Sequence, residues 1–482
     1  MLVGASSCCA ALCATSCVCG MIQHMLQSNS KKYEIDMLNG PVLSRMLKFT
    51  VPLMCSSILQ ILFNAADIIV VGRFAGPTAL AAVGSNSALI NLVTNLFIGL
   101  SIGANVVVAR YFGAKDDENV SQTVHTSIAL GIVSGIILTV TGLLGARLFL
   151  RLMLSPEDVL PKATVYLRIY FLGMVPMMVY NFGSAILRAV GDTKRPLYYL
   201  LFAGVLNVIL NLLFVLVFKL EVAGVALATI ISQFVSAVLI VGCLCRENSA
   251  IKLNIKRLKI EGHKFRQIVK VGLPAGFQGC VFALSNTVIQ SSVNSFGSTV
   301  MAGNAAATNI EGIVYFAMNA FYQAAISFTS QNAGAGNYKR IKKIVLTAQA
   351  CVIVAGAATG FGILYSGPFV LRFFSPDETV IKAGMVRLSV ILSTYFLCGM
   401  MDVMVGGLRG IGYSVTPMVV SLIGACGLRL IWLSTVFQIP KFHTPKIVYV
   451  SYPVSWLITF CVHVVCFVIF YRRVLKQHEV KD

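Results

Sequence analysis

The stretches LRAVGDTKRP, residues 187–196, and LRGIGYSVTP, residues 408–417, align at an offset of 221 residues. Working outward, the same offset relates Gly113-Ala114 to Gly334-Ala335, and an offset of 222 relates Pro52 to Pro274, Asn64 to Asn286 and Phe74 to Phe296. One spacing held this far along the chain is an internal repeat. Each copy contains six long apolar runs. They lie near 47–72, 80–109, 122–146, 168–187, 197–218 and 223–245, then near 272–295, 304–331, 344–366, 386–407, 417–438 and 447–471. Runs of about 20 apolar residues are long enough, as helices, to cross a bilayer. Six is an even number, so both copies enter from the same side and the repeat is parallel. The predicted fold is therefore an all-α integral membrane protein, with twelve transmembrane helices in two six-helix lobes. The expected organisation is a disordered N-terminal extension (1–32), an N-lobe (33–245), a basic cytoplasmic linker (246–271), a C-lobe (272–473) and a cytoplasmic tail (474–482).

Composition agrees with this reading. Of 482 residues, 57% are hydrophobic and 12% are charged, and the formal net charge is +20. An ordinary soluble domain is about 25% charged. In a soluble protein the positive charge would suggest nucleic acid. Here 26 of the 38 Lys and Arg fall on the side of the N-terminus, 11 fall on the other, and Arg429 alone lies well inside a span. By the positive-inside rule both termini are expected in the cytoplasm, with the chain in the inner (plasma) membrane. The charge then reads as topology plus attraction to anionic membrane lipid, with no nucleic acid partner. Five of the 14 cysteines crowd into residues 1–20, without the spacing of a disulfide framework or a convincing zinc site. Nor does that stretch read as a signal peptide, because no basic segment precedes its apolar part.

Ionisable groups in hydrocarbon are costly and are functional candidates by default. In the N-lobe, Asp67 is the only carboxylate embedded in a span. Asn207 and Asn211 are spaced i, i+4 on one face of the fifth span, and Thr229 lies in the sixth. Oxygen ligands of this kind suit sodium, and a lone, partly buried carboxylate suits a proton equally well. The plainer alternative is a polar cluster that ties three helices together. In the C-lobe, Glu311, Asp402 and Arg429 are expected to form buried pairs, or else to meet substrate. Met54, Met174, Met177 and Met178 with Phe63 and Tyr180 read either as an adaptable apolar wall or as ordinary packing. His463 reads as structural. No Walker A, HExxH, GxSxG or kinase signature occurs, so the chain is not expected to be an enzyme and no cofactor is expected.

The run LQILFNAADIIVVGRFAG (59–76), the GA closing the second span, LRAVGDTKRP, SQNAGAG (330–336) and GGLRGIGYS (406–414) resemble the multidrug and toxic compound extrusion (MATE) family of the MOP flippase superfamily. The likeness covers about residues 33–473. It implies a monomeric antiporter that exports organic cations and amphipathic drugs in exchange for sodium ions or protons. It also implies a coupling site, and a possible sodium site, at Asp67, Asn207, Asn211 and Thr229. Cavity positions fall on Gln60, Asn64, Asn181 and Ser184, with Phe63, Glu311, Asp402 and Arg429 as further candidates. The chain departs from the family pattern at Asn211, where the second carboxylate is an amide, and it lacks the acid of the seventh span, which reads PAGFQGCVFALSN (274–286). The rival reading is a flippase for a lipid-linked saccharide, which would call for a larger cleft with basic walls.

Overall fold

The computed structural model describes residues 33–74, 77–153, 157 and 159–479. The expected N-terminal extension (1–32), with its cysteine cluster, and the last three residues of the tail lie outside the described residues. All regular structure among the described residues is helical. The crossing elements are α1 (Val42–Phe74), α2 (Pro77–Gly113), α3 (Asp117–Leu152), α4 in two parts (Leu160–Leu172 and Met174–Ala189), α5 (Lys194–Leu212) and α6 (Glu221–Arg246). The second copy comprises α7 (Gly262–Asn294), α8 (Ser298–Gly334), α9 (Tyr338–Tyr365), α10 in two parts (Glu378–Ile391 and Phe396–Gly410), α11 and α12 (Pro445–Glu479). α11 runs from Val415–Ser421 through a π-helical turn, Leu422–Gly427, into Leu428–Ser434.

Among the described residues, nine continuous helices are long and apolar enough to cross a membrane, and the two bent pairs bring the number to eleven. α8 fails that test on composition. It carries Asn304, Thr308, Asn309, Glu311, Asn319 and Gln323; Asn304 and Glu311 are buried in protein, whereas Thr308 and Asn309 are exposed and donate to the Asn304 and Ala305 carbonyls of their own helix. Two boundaries differ from expectation. α7 begins at Gly262, so the connection between lobes is shorter than 246–271, and α12 runs past 473 to Glu479. Both differences arise because charged residues end an apolar run without ending the helix. The connection is also no loose tether: Ile251 and Leu253 are buried in the N-lobe core, and the Asn254 N–H donates to His125 Nε2 at 3.0 Å.

The repeat is preserved in backbone detail. Gly191 and Gly412 have φ of +98° and +99°. Each ends a helix in a Schellman turn, with Asp192 N–H donating to Leu187 O at 2.9 Å and Tyr413 N–H to Leu408 O at 3.0 Å. A side chain at either position would strain the turn. α4 and α10 both bend by 47°, the first at Gly173 and the second between Ile391 and Phe396.

The two lobes meet symmetrically. Gln331 on α8 donates to the carbonyl of Ala189 at 2.6 Å, and its repeat equivalent Arg110 on α2 donates to the carbonyl of Gly410, the equivalent of Ala189, at 3.3 Å. Between these bonds the backbones nearly touch, since a Cβ on Gly334 would lie 1.8 Å from Arg110 O. The segment before α1 docks on the same face, where Asn332 donates to Met37 O at 3.1 Å, and α12 returns to it through Tyr471, which donates to Tyr338 O at 3.1 Å. We call this the basic face and its opposite the far face.

α1 joins both lobes. Near the basic face its Met46, Phe49 and Leu53 belong to the C-lobe core, with Phe49 edge-on to Phe328 at 5.6 Å. Toward the far face Val70 and Val71 belong to an N-lobe core. α7 crosses over in the reciprocal sense, burying Ile268 among N-lobe residues.

Candidate functional site

Asp67 lies near the far end of α1, half-buried against α5. Asn207 and Asn211, one turn apart on α5, are both buried and aim at it. The Asn211 amide donates to the Asp67 carboxylate and also to Asn207 Oδ1 at 3.1 Å. The Asn207 amide in turn donates to Thr229 Oγ1 on α6 at 3.4 Å, and that hydroxyl donates to the Val225 carbonyl at 3.0 Å. The structure therefore brings together the four residues expected at the coupling site, Asp67, Asn207, Asn211 and Thr229. No Lys or Arg pairs with Asp67 among the described residues. Asn211 Oδ1 is buried without a hydrogen-bond partner among the described residues. A buried acceptor left open beside a carboxylate is costly, and either a cation or a carboxylic acid proton would satisfy it.

Two residues that sequence reasoning missed stand beside this quartet. Tyr166 and Tyr170, on the first part of α4, stack on each other at 5.9 Å within electrostatic reach of Asp67. Their i, i+4 spacing was the available signal, and it pointed only to a shared face.

The remaining N-lobe candidates spread out. Gln60 and Asn64 share the Asp67 face of α1 and are exposed, whereas Phe63 packs its ring against the backbone of Gly204. Asn181 donates to the Met177 carbonyl of its own helix at 2.9 Å, and Ser184 is buried one turn further on.

In the C-lobe the expected pairing among Glu311, Asp402 and Arg429 is not what forms. Glu311 is held by Arg387, with Nε and Nη2 donating to its two oxygens at 2.7 Å each. The third donor of Arg387 reaches Asn304 Oδ1 at 2.8 Å, and Tyr449 and Tyr452 cover the guanidinium. Arg387, at the edge of the apolar run near 386–407, is one of the 11 basic residues that the sequence places on the side opposite the N-terminus. The helix of α10 begins earlier, at Glu378, and rotates that side chain into the lobe. Arg429 has no carboxylate partner among the described residues. It donates to Ser455 Oγ at 2.9 Å and stacks on Tyr452 at 4.1 Å. Asp402 forms no ion pair among the described residues; Arg409, which acts on it electrostatically, instead binds Gln278 Oε1 at 2.7 Å and the Tyr322 hydroxyl. Glu311 thus sits in a closed pair rather than on an open wall. His463 meets Ser421 Oγ at 3.0 Å, a packing role.

The hydrogen bonds and glycine contacts between lobes gather in the half of the molecule nearer the basic face. Ser327 donates to Asn105 Oδ1 at 3.1 Å, and a Cβ on Gly99 of α2 would lie 2.2 Å from the backbone nitrogen of Gly276 on α7. Beyond Cys280, which contacts the Leu92 carbonyl at 3.4 Å, the outward continuation of α7 exposes Leu284 and Val288.

The MatE family model matches residues 52–213 and 274–433, one match in each lobe. The chain is 30% identical over 394 residues to the probable multidrug resistance protein YpnP of Bacillus subtilis, spanning 82% of this chain and 88% of the relative. It is 25% identical to the probable multidrug resistance protein NorM of Thermotoga maritima, over 80% of this chain and 83% of that one. Among solved structures, a MOP superfamily transporter from Pyrococcus furiosus superimposes with a TM-score of 0.86 at 21% identity, covering 92% of this chain and 98% of that one.

Proposed function

The chain belongs to the MatE family, and from that premise we propose that it exports organic cations and amphipathic drugs from the cytoplasm in exchange for sodium ions or protons bound at Asp67. It is a multi-pass membrane protein and a multidrug efflux transporter. The basic face, by its excess of Lys and Arg, is the cytoplasmic one. The lobes are sealed near the basic face, so on this reading they part toward the outside.

The observation that carries the reading is the Asp67 carboxylate, held in the membrane by the Asn211 amide and, among the described residues, by no Lys or Arg. Such a group binds a cation from the outside at modest cost. When it is neutralised by sodium or by a proton, the Asn211 amide has no anion to serve. Rotated, it presents its oxygen to the cation or to the acid hydroxyl, and the polar chain to Asn207 and Thr229 rearranges with it. Drug leaves as the cation enters, and reversal of the lobes delivers the cation inside. One charge moving down 100 mV supplies about 2.3 kcal/mol, and each tenfold ion gradient about 1.4 kcal/mol more, enough for useful accumulation ratios. The flippase reading has less support. Arg387 is neutralised by Glu311, and Arg429 is stacked on an aromatic ring rather than arrayed along a basic wall.

Asp67→Asn is the test. Ethidium efflux is expected to fall to background while the variant reaches the membrane at parental levels, and undiminished efflux would remove Asp67 from the mechanism. In reconstituted vesicles, imposed sodium and pH gradients applied separately identify the ion, since only the coupling gradient drives transport.

A further inference from the structure

At the basic face, on the outer surface of the bundle, α1 and α9 border a cleft of about 530 Å³. α9 contributes Lys339, Lys342 and Lys343 from its first turns, then Leu346 and Ala350, and α1 contributes Leu43. These α9 positions recur at three- and four-residue steps and so share one face. The three lysines are exposed, and none joins an ion pair among the described residues. Arg340, between them in sequence, is engaged elsewhere, donating to the Asn39 and Gly40 carbonyls at 2.9 and 2.8 Å. Leu346, one turn beyond Lys342 and Lys343, is 59% exposed, and Leu43, at the start of α1, is 52% exposed.

Three ammonium groups at headgroup level above an apolar trough have the polarity of a phospholipid turned inside out. We infer that this cleft is a specific site for an anionic phospholipid of the basic-face leaflet, its phosphate among Lys339, Lys342 and Lys343 and an acyl chain along Leu346, Ala350 and Leu43. A zwitterionic lipid fits poorly, because its own cation would meet three others. The site has a structural consequence. α1 and α9 belong to different copies of the repeat, so the lipid bridges the seam where the basic end of α1 docks on the C-lobe.

The test is native mass spectrometry of the full-length protein in detergent micelles, titrated with phosphatidylglycerol, with phosphatidylcholine, and with inorganic phosphate as competitor. Phosphatidylglycerol is expected to be retained preferentially, and the K339Q/K342Q/K343Q variant to weaken its binding by about a hundredfold. The triple Lys→Arg variant should keep it. Ala350→Trp, which fills the trough and leaves every charge in place, should lose it, while K252Q/K256Q/R257Q in the interlobe connection should bind like the parent. Equal retention of phosphatidylcholine, displacement by millimolar phosphate, or parental binding by either the Lys→Gln or the Ala350→Trp variant would overturn the assignment.

Discussion

Removing the guanidinium of Arg387 strands the Glu311 carboxylate inside the C-lobe and also leaves Asn304 Oδ1 without its donor. Breaking one side of a buried pair costs about 3–5 kcal/mol, whereas replacing both partners can be far cheaper. Arg387→Met should therefore lower the thermal midpoint of the detergent-solubilised protein sharply, and Glu311→Gln combined with Arg387→Met should recover much of the loss. A double variant less stable than the single one would contradict this account. The same pair marks the limit of what residues reveal in sequence. Glu311 stands out, because an acid in a long apolar run demands a partner. Its partner does not, because whether Arg387 faces the loop or the lobe depends on where α10 begins and how it is rotated. Asp67, Asn207, Asn211 and Thr229 were legible because each is polar within an unmistakable span. Tyr166 and Tyr170 were not, since aromatic residues in a membrane helix need no explanation.

At the scale of elements, the seam between α2 and α7 depends on glycine. The missing side chain of Gly99 allows the backbone of Gly276 to approach, and a methyl group there would sit 2.2 Å from its nitrogen. Small residues are how membrane helices come this close. Gly99→Ala should destabilise the closed basic-face arrangement by about 1–3 kcal/mol, the usual cost of overpacking. Spin labels at Glu118 on α3 and Lys342 on α9 would report the shift as a growing population at longer distance. Gly279→Ala is the matched control: on the facing helix α7, one turn beyond Gly276, its Cβ would stand 3.6 Å from Asn95, ordinary contact. Indistinguishable distance distributions for the two variants would separate the seam from this effect. Hydropathy located these elements but not their interruptions. The bends in α4 and α10 and the π-turn in α11 are changes of hydrogen-bond register, to which an average over apolar side chains is blind.

For the whole molecule, the exchange of contacts across the 221-residue offset makes the basic-face seal self-complementary. Arg110 does to Gly410 what Gln331 does to Ala189. A seal built from matched halves can part as a unit, and this is what an alternating-access exporter requires of it. If transport needs that parting, fixing the seal must stop it. Asn105 on α2 and Ser327 on α8 face each other across the seam, with Ser327 Oγ donating to Asn105 Oδ1 at 3.1 Å. Cysteines at both positions, in a background freed of the native thiols, can be joined by a short bis-thiol reagent. The uncrosslinked double variant is expected to retain most of its efflux, the crosslinked protein to lose at least nine-tenths of it (~1.4 kcal/mol or more in rate terms), and reduction of a cleavable linker to restore it. Either single-cysteine variant treated alike should be unaffected, which separates locking from modification. Full efflux by a protein shown by mass to be crosslinked would mean that the lobes need not separate at the basic face, and the seal would then be a fixed base rather than a gate.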